Sequence, residues 1–250
     1  MQIRGHRVPM VFSLLVWLVV WEIVGRAGWI SLIPPLTDVF SVLDDVMSSE
    51  PFVEAARITF QAFGIGMALS LVIGIVLGIL MGTFRPFGSL MGMWVNIFES
   101  SPLTAVVPAL MALLGFGLET MVTTVVLFSV WVIALDAQVG IERINPSLLE
   151  MGRSFGAGRR KMFSTILLRA ALPELLAGIR LGILRGVKGV VIGQLLIAVV
   201  GVGYLFELYS RSFLMPEFWS LLILLFTLAF ALSEVVGYFE RKVAFYASSR

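Results

Sequence analysis

The sequence lacks the residues on which many enzymes and metal sites depend. Its 250 residues include no cysteine and one histidine, His6. The missing cysteines exclude disulfides, thiolate metal sites and cysteine nucleophiles, and a single histidine excludes histidine-based catalysis. No phosphate-binding loop of the form G-x-x-x-x-G-K-S/T occurs. We therefore expect no enzymatic activity, no cofactor and no metal, and we expect any nucleotide to be hydrolysed by another subunit.

Charged residues are also scarce, at 14% of the chain against 59% hydrophobic residues. A soluble domain is typically about 45–50% apolar and about 25% charged. The net charge of +2 gives no indication of nucleic-acid binding. Residues 58–84, 100–118 and 189–206 contain no Asp, Glu, Lys or Arg, and a helix needs about 20 apolar residues to cross a bilayer. The composition predicts an all-α, polytopic membrane protein.

The apolar runs predict six transmembrane helices, at about residues 9–25, 58–82, 89–114, 119–140, 172–199 and 217–240. An amphipathic stretch at 36–56, with Thr37 or Asp38 as its N-cap, is expected to lie at the membrane interface. A signal peptide is an alternative for the first span, but its tryptophans are typical of interfacial anchors. We therefore divide the chain into an N-terminal part, 1–57, and a core domain, 58–245, that contains five spans.

The distribution of Lys and Arg indicates how the chain is oriented. With the N-terminus in the cytoplasm, twelve of the 18 lie on the inner side, three on the outer side and three within the fifth span. Cytoplasmic loops of membrane proteins carry an excess of these residues. Both termini are therefore expected in the cytoplasm.

The third span is unusual because it contains two prolines, Pro102 and Pro108, beside polar residues. Proline removes a backbone donor and kinks a helix, and carbonyls freed at membrane depth are tolerated only next to protein or a water-filled cavity. The polar neighbours Glu99, Ser101 and Thr104 make this break a candidate for a translocation pathway. An ordinary kink, with its carbonyls satisfied by neighbouring helices, is equally consistent with the sequence.

Charges within the other spans suggest ion pairs, because an ionisable group in a membrane is usually paired or functional. Asp136 and Arg180 lie at similar depth near the cytoplasmic ends of their spans, and we predict a structural pair. Glu99 and Lys188 both fall near mid-depth, and we favour a pair between them. The alternative is that Lys188, together with Arg185, gives the pathway a positive field suited to anions.

Glycines recur on one face of the second span and on one face of the fifth, namely Gly74, Gly78 and Gly82, and Gly178, Gly182, Gly186, Gly189 and Gly193. Small residues let membrane helices approach closely. Packing within the chain is the favoured explanation. Packing of part of this face against a second membrane subunit stays open.

The loop at 141–171 contains a short helix with clear start and stop signals. Asn145-Pro146 is typical of an N-cap followed by a first-turn proline, and Gly156 and Gly158 end the helix. Its apolar residues share one face at i, i+3, i+7 spacing, and they are Leu148, Met151 and Phe155. Such a helix fits a groove on a partner, although one lying on lipid would have the same pattern.

The same loop resembles the EAA loop of ABC-importer permease subunits. The resemblance rests on Glu150-Met151-Gly152-x-x-x-Gly156, then Ile166, then Leu172-Pro173. Further similar stretches are Ser101-Pro102-Leu103, Gly178-Ile179-Arg180-Leu181-Gly182 and Gly201-Val202-Gly203-Tyr204-Leu205, so that the resemblance covers about residues 55–245. The chain is most similar to the nitrate, sulfonate and taurine branch. Two features depart from the family pattern: Met151 and Gly152 replace two alanines, and Gln194 stands where related sequences often carry an acid.

The resemblance implies a type I ABC-importer permease in a bacterial inner membrane, importing a small anionic solute. Its partners would be a second permease, expected to be identical, two cytoplasmic ABC ATPases, an extracytoplasmic solute-binding protein and membrane lipid. The implied ATPase-coupling residues are Leu148, Leu149, Glu150, Met151, Gly152, Arg153, Phe155 and Gly156. Leu149 and Phe155 would supply buried contacts, and Glu150 and Arg153 would supply charge pairs.

The implied pathway residues are Glu99, Ser101, Pro102, Thr104, Lys188 and Gln194. A function from another class, an ion-coupled secondary transporter or channel, is the alternative. It would be expected to show an internal inverted repeat, which the sequence does not clearly contain.

Overall fold

A computed structural model of the chain describes the backbone of residues 2–3, 6–7, 10–197 and 200–248 and the side chains of 12–197, 200–228, 230–231, 234–235 and 237–238. Residues 198–199, at the end of the fifth predicted span, lie outside the described residues. Arg4 and Arg250, two of the twelve basic residues counted on the inner side, lie outside them as well.

Helices form almost all of the described chain, as the sequence predicts. The first helices are α1 (Met10–Ala27), α2 (Leu36–Ser41), α3 (Leu43–Ser48), α4 (Glu50–Thr83), α5 (Arg85–Ser100), a 3₁₀ turn (Leu103–Val106) and α6 (Val107–Leu114). The remainder are α7 (Leu118–Glu142), α8 (Pro146–Ser154), α9 (Arg159–Lys161), a π-helical stretch (Met162–Leu167), α10 (Leu168–Ala170), α11 (Leu172–Ile197), α12 (Val202–Arg211) and α13 (Met215–Ser248). Two antiparallel two-residue strands, Gln2–Ile3 and His6–Arg7, precede α1.

Two of the described helices, α4 and α7, are each long and apolar enough to cross a membrane. Two further spans are counted if each bent pair is one crossing: α5 with the helices at 103–114, bent by 91°, and α11 with α12, bent by 49°. The predicted first and last spans fall on α1 and α13, and the apolar stretch that begins α13 includes Met215–Leu228. The 91° bend between α5 and the helices at 103–114 breaks the third predicted span sharply.

The centre of the fold is α7, which packs between α4 and α11. The glycine faces predicted from the sequence both point at it. A Cβ on Gly78 would lie 2.5 Å from the Cβ of Ala137, and a Cβ on Gly182 would lie 2.5 Å from Ile133 Cγ1. These glycines therefore allow three membrane helices to approach closely, and the packing within the chain that we favoured is confirmed for them.

The N-terminal part shows one capping prediction to be wrong. Neither Thr37 nor Asp38 caps α2; Pro35 occupies the N-cap position. The carboxylate of Glu22, on α1, accepts the Thr37 backbone N–H (3.1 Å) and the Thr37 hydroxyl (3.1 Å). An acceptor from another helix thus replaces the local cap. The predicted interfacial stretch is made up of α2, α3 and the first turns of α4, and the proposed boundary at 57, which falls inside α4, stays a prediction.

Candidate functional site

Helix α8 is held at its start by a side-chain cap. Asn145 Oδ1 accepts hydrogen bonds from the backbone N–H of Ser147 (3.0 Å) and from its hydroxyl (2.8 Å). Pro146 occupies the first turn, where its missing N–H costs nothing. The predicted helix start is therefore confirmed.

The end of α8 is a Schellman turn at Gly156. The N–H of Gly156 donates to the carbonyl of Arg153, and that of Ala157 donates to the carbonyl of Gly152, both at 2.9 Å. Gly156 has a φ of 71°, a conformation in which a side chain is strained. The predicted exit turn is confirmed, and the nine-residue helix is fixed at both ends.

One face of α8 packs on the rest of the chain. Leu149 contacts the cluster that contains Ile144 and Ala171, next to the ends of α7 and α11. A Cβ on Gly152 would overlap Ile166 Cδ1 and lie 3.0 Å from Met162 Cε. Glycine at 152, in place of an alanine of the EAA pattern, thus leaves room for the side chains of the returning helix. Leu149 is half-buried against this cluster, and its predicted contact with the partner stays a prediction.

The adjoining face of α8 is left uncovered by the described chain. Leu148 is 38% exposed, Met151 is 49% exposed and Phe155 is 85% exposed. Glu150 and Arg153 are exposed as well, and at about 100° per residue they lie on the other side of the helix from Leu148 and Phe155. The result is an apolar stripe on a helix that is capped at both ends, which is the geometry of a helix that binds in a groove.

The break in the third span lies between α5 and the 3₁₀ turn, at Ser101 and Pro102. The hydroxyl of Ser100 donates to the carbonyl of Asn96 (2.7 Å), and that of Ser101 donates to the carbonyl of Ile97 (2.6 Å). The carbonyl of Ile97, which is left free at the end of α5, is therefore satisfied by a serine at the break itself. Thr104 is exposed in the 3₁₀ turn; its role in a pathway stays a prediction, as does that of Ser101 and Pro102.

Glu99, one residue before the end of α5, forms an ion pair with Arg185 on α11. The favoured pair with Lys188 is wrong. At about 100° per residue, Arg185 lies about 60° from the centre of the α11 glycine face that meets α7, whereas Lys188 lies about 120° away. Arg185 is therefore the cation turned towards neighbouring helices. Lys188 is exposed and forms no ion pair with any residue that the structure describes.

Asp136 faces α11, where a Cβ on Gly178 would lie 2.7 Å from its Cβ. Its Oδ2 is buried without a hydrogen-bond partner among the described residues. Asp136 also interacts electrostatically with Glu174, Glu99 and Arg185. The predicted pair of Asp136 with Arg180 stays a prediction. On the other side of α7, Trp131 stacks on Phe98 with ring centroids 4.5 Å apart and fixes α5 next to Glu99.

Gln194 is 1% exposed and joins three helices. Its Nε2 donates to the Thr59 hydroxyl on α4 (2.8 Å), and that oxygen also accepts the N–H of Val202 at the start of α12 (3.2 Å). Gly201, with a φ of 71°, lies directly against the amide. An amide engaged in this way is not placed to touch a solute in this conformation, so the pathway role of Gln194 has no support from its position.

A cavity of about 290 Å³, lined almost entirely by apolar side chains, lies between α4, α11 and α13. Phe60, Val187 and Leu225 are among its walls. The sequence gives no sign of this cavity, because its walls come from helices far apart along the chain.

Comparison with known proteins gives a family match and several relatives. A family model described as "Binding-protein-dependent transport system inner membrane component" matches residues 70–245. The formylaminopyrimidine transport permease protein ThiX of Halalkalibacterium halodurans is 28% identical over 198 residues, which cover 78% of each chain. The taurine transport system permease protein TauC of Escherichia coli K12 is 25% identical over 202 residues, which cover 78% of this chain and 74% of TauC.

Among solved structures, the crystal structure of an amino acid ABC transporter with histidines matches with a TM-score of 0.64 and 15% identity. The match covers 80% of this chain and 97% of that chain. The family match runs from the middle of α4 into α13, so it includes the broken span and α8.

Proposed function

The chain belongs to the family of inner membrane components of binding-protein-dependent transport systems, and on that premise we propose that it forms the pathway of an ATP-driven importer for a small anionic solute. The family assigns ATP hydrolysis to a partner subunit, so this chain is a transporter component and not an enzyme. Its fold is the type I ABC-importer permease fold, and the taurine relative agrees with the expected branch. The family match sets aside a secondary transporter or channel.

The exposed stripe on α8 is the observation that supports coupling to an ATPase. Leu148, Met151 and Phe155 present apolar surface at helical spacing, and the capped ends keep that surface in one conformation. A solvated helix gains nothing from an 85% exposed phenylalanine, whereas a helix that enters a groove buries it. In the proposed complex, Glu150 and Arg153 orient the docked helix through charge pairs, and α8 lies on the cytoplasmic side with both termini.

The packed face of α8, which contains Leu149 and Gly152, connects the helix mechanically to the membrane helices. Leu149 and Gly152 pack against residues at the ends of α7 and α11 and on the returning helix. A displacement of the docked helix is therefore passed directly to two membrane helices. Two copies of this chain, each docked on one ATPase, would change the pathway between them when the ATPases close, and a solute-binding protein would load the outer side.

Lys188 supports an anionic solute. It lies 16 residues into a 26-residue membrane helix and has no ion-pair partner among the described residues. A cation at that depth is costly in lipid and is expected to face a water-filled pathway. Because α11 leaves this side uncovered, a second copy of the chain would enclose it, and the two Lys188 side chains would attract anions.

Co-purification tests the coupling proposal. The chain is expressed with the ATPase of its own transport system, and Phe155→Asp is compared with Phe213→Asp, which places the same charge at an exposed phenylalanine between α12 and α13. We expect Phe155→Asp to release the ATPase and Phe213→Asp to retain it. Retention of the ATPase by Phe155→Asp at unchanged affinity would refute docking through α8.

Uptake by the complete complex in proteoliposomes tests the solute class. Ethanesulfonate, nitrate and benzoate are compared with neutral and cationic compounds of similar size. We expect uptake of at least one anion, and we expect Lys188→Gln to reduce it without releasing the ATPase. Uptake confined to neutral or cationic compounds would refute the anionic assignment and leave the importer assignment intact.

A further inference from the structure

The ion pair between Glu99 and Arg185 joins two membrane helices at the broken span, and we propose that Glu99 occupies the anion-binding position of Arg185 until the solute displaces it. Arg185 is then the residue that selects the solute's anionic group. This inference rests on the proposed function, because it requires an anionic solute.

The pair leaves much of its bonding capacity unused. One carboxylate oxygen, Oε1, contacts Arg185 Nη1, while Oε2 is buried without a hydrogen-bond partner among the described residues. Structural pairs of arginine with carboxylate are frequently bidentate, with both oxygens engaged. A guanidinium carries five N–H donors, so a pair bonded through one oxygen leaves donors for a second anion.

The pair is also partly accessible in the described chain. The Arg185 side chain is 41% exposed and that of Glu99 is 22% exposed. Arg185 and Lys188 are three residues apart on α11, so their side chains are neighbours on the helix surface. The planar fork of an arginine and the compact charge of a lysine together suit a sulfonate or carboxylate group.

The position of Glu99 allows it to leave. It lies in the last turn of α5, directly before the 91° bend. The backbone of that turn is held by the hydroxyls of Ser100 and Ser101, and the helix is held by the stack of Phe98 on Trp131. A change of the Glu99 rotamer therefore frees Arg185 without unwinding the helix.

The surrounding charges explain why a substitute anion is needed. An unpaired guanidinium within a membrane is costly, and Glu99 removes that cost while no solute is bound. Asp136 interacts electrostatically with both Glu99 and Arg185, and Glu174 adds a further negative charge near Asp136. Among the described acids, Glu99 is the one in contact with Arg185, so a solute anion that engages the whole guanidinium must displace it.

An ordinary structural pair gives the opposite expectation for Glu99→Gln. If the pair only holds α5 against α11, removing its negative charge weakens the complex and does not improve anion binding. If Glu99 competes with the solute, removing its charge strengthens anion binding. The sign of the change in affinity therefore separates the two roles.

The experiment measures binding of ethanesulfonate by calorimetry to the complete permease–ATPase complex in nanodiscs, without the solute-binding protein. We expect Glu99→Gln to strengthen binding about tenfold, the order of one charge-assisted hydrogen bond. Glu54→Gln, which removes a carboxylate from an exposed pair with Arg57, is the matched control and should leave the affinity unchanged. Unchanged or weaker binding by an assembled Glu99→Gln complex would overturn the inference.

A double variant covers the case in which Glu99→Gln does not assemble. E99Q/R185Q removes both charges of the pair, and we expect it to assemble and to bind ethanesulfonate at least about tenfold more weakly than the unchanged chain. Binding equal to that of the unchanged chain would overturn the inference. If the unchanged complex takes up only neutral or cationic compounds, the proposed solute class fails; if it takes up anions and the variants behave as structural changes, only the role of Glu99 fails.

Discussion

Replacement of Gly152 by alanine tests the packing that fixes α8 to the membrane helices. Two effects oppose each other. Alanine improves helix propensity by roughly 1 kcal/mol relative to glycine. The new Cβ would overlap Ile166 Cδ1 and approach Met162 Cε, and overpacking of this kind costs about 1–3 kcal/mol.

We expect the overpacking to outweigh the gain in helix propensity, so that Gly152→Ala is destabilising. Both obstacles are ends of flexible side chains, so part of the strain is relieved by movement of Ile166 and Met162. We expect the packing of α8 against the returning helix to be weakened by about 1 kcal/mol. We also expect a small displacement of α8 away from that helix. The thermal midpoint of the purified chain should fall, and the ATPase should bind more weakly.

Two further variants make the result specific. Ile166→Val removes the Cδ1 atom that the new Cβ would meet, so the double variant with Gly152→Ala should recover the midpoint and the ATPase affinity. Gly92→Ala is the control, because a Cβ at that helical glycine meets nothing within 4 Å. If Gly152→Ala is as well tolerated as Gly92→Ala, or if Ile166→Val gives no recovery, the close contact at Gly152 is refuted.

Three further changes have expected outcomes that thermal unfolding and ATPase binding can measure. Asn145→Ala removes the cap of α8 and should cost about 1 kcal/mol, with Asn145→Asp retaining most of it; equal losses in both would contradict the capping role. Gly156→Ala places a side chain at a φ of 71° and should cost about 1–2 kcal/mol, whereas Gly158→Ala, at a φ of −65°, should cost little. Gln194→Leu removes the buried amide that joins α11 to α4 and should cost about 1–3 kcal/mol; a midpoint equal to that of the unchanged chain would show that the amide contributes nothing.

Local signals in the sequence were sufficient for α8. Asn145-Pro146 and Gly156 act within a few residues of their own positions, so the cap and the exit turn could be read without knowledge of the fold. The glycine faces of α4 and α11 were equally readable, because their period follows from helix geometry alone. In each case the structure places the residues as the pattern indicated.

The errors concern contacts between segments that are distant in the chain. Glu22 caps α2 from another helix, which no pattern around Thr37 could reveal. Depth alone does not separate Arg185 from Lys188, which lie one turn apart on α11, and the packing of the helices decides which of them faces Glu99. The reason for glycine at 152 lies in Ile166, a residue on a different helix.

The positions of α8 and of the Glu99–Arg185 ion pair suggest how these two sites act together. Helix α8 packs through Leu149 against the ends of α7 and α11, near Ala171. Helix α5, in contrast, packs on α4 and α7. From Leu172 to Arg185, α11 extends about 20 Å at 1.5 Å per residue. A tilt of α11 that begins at α8 therefore moves Arg185 relative to Glu99, which stays with α5. In the proposed importer, docking strain at Phe155 would weaken the ion pair between Glu99 and Arg185, and the solute's anionic group would then exchange for the Glu99 carboxylate.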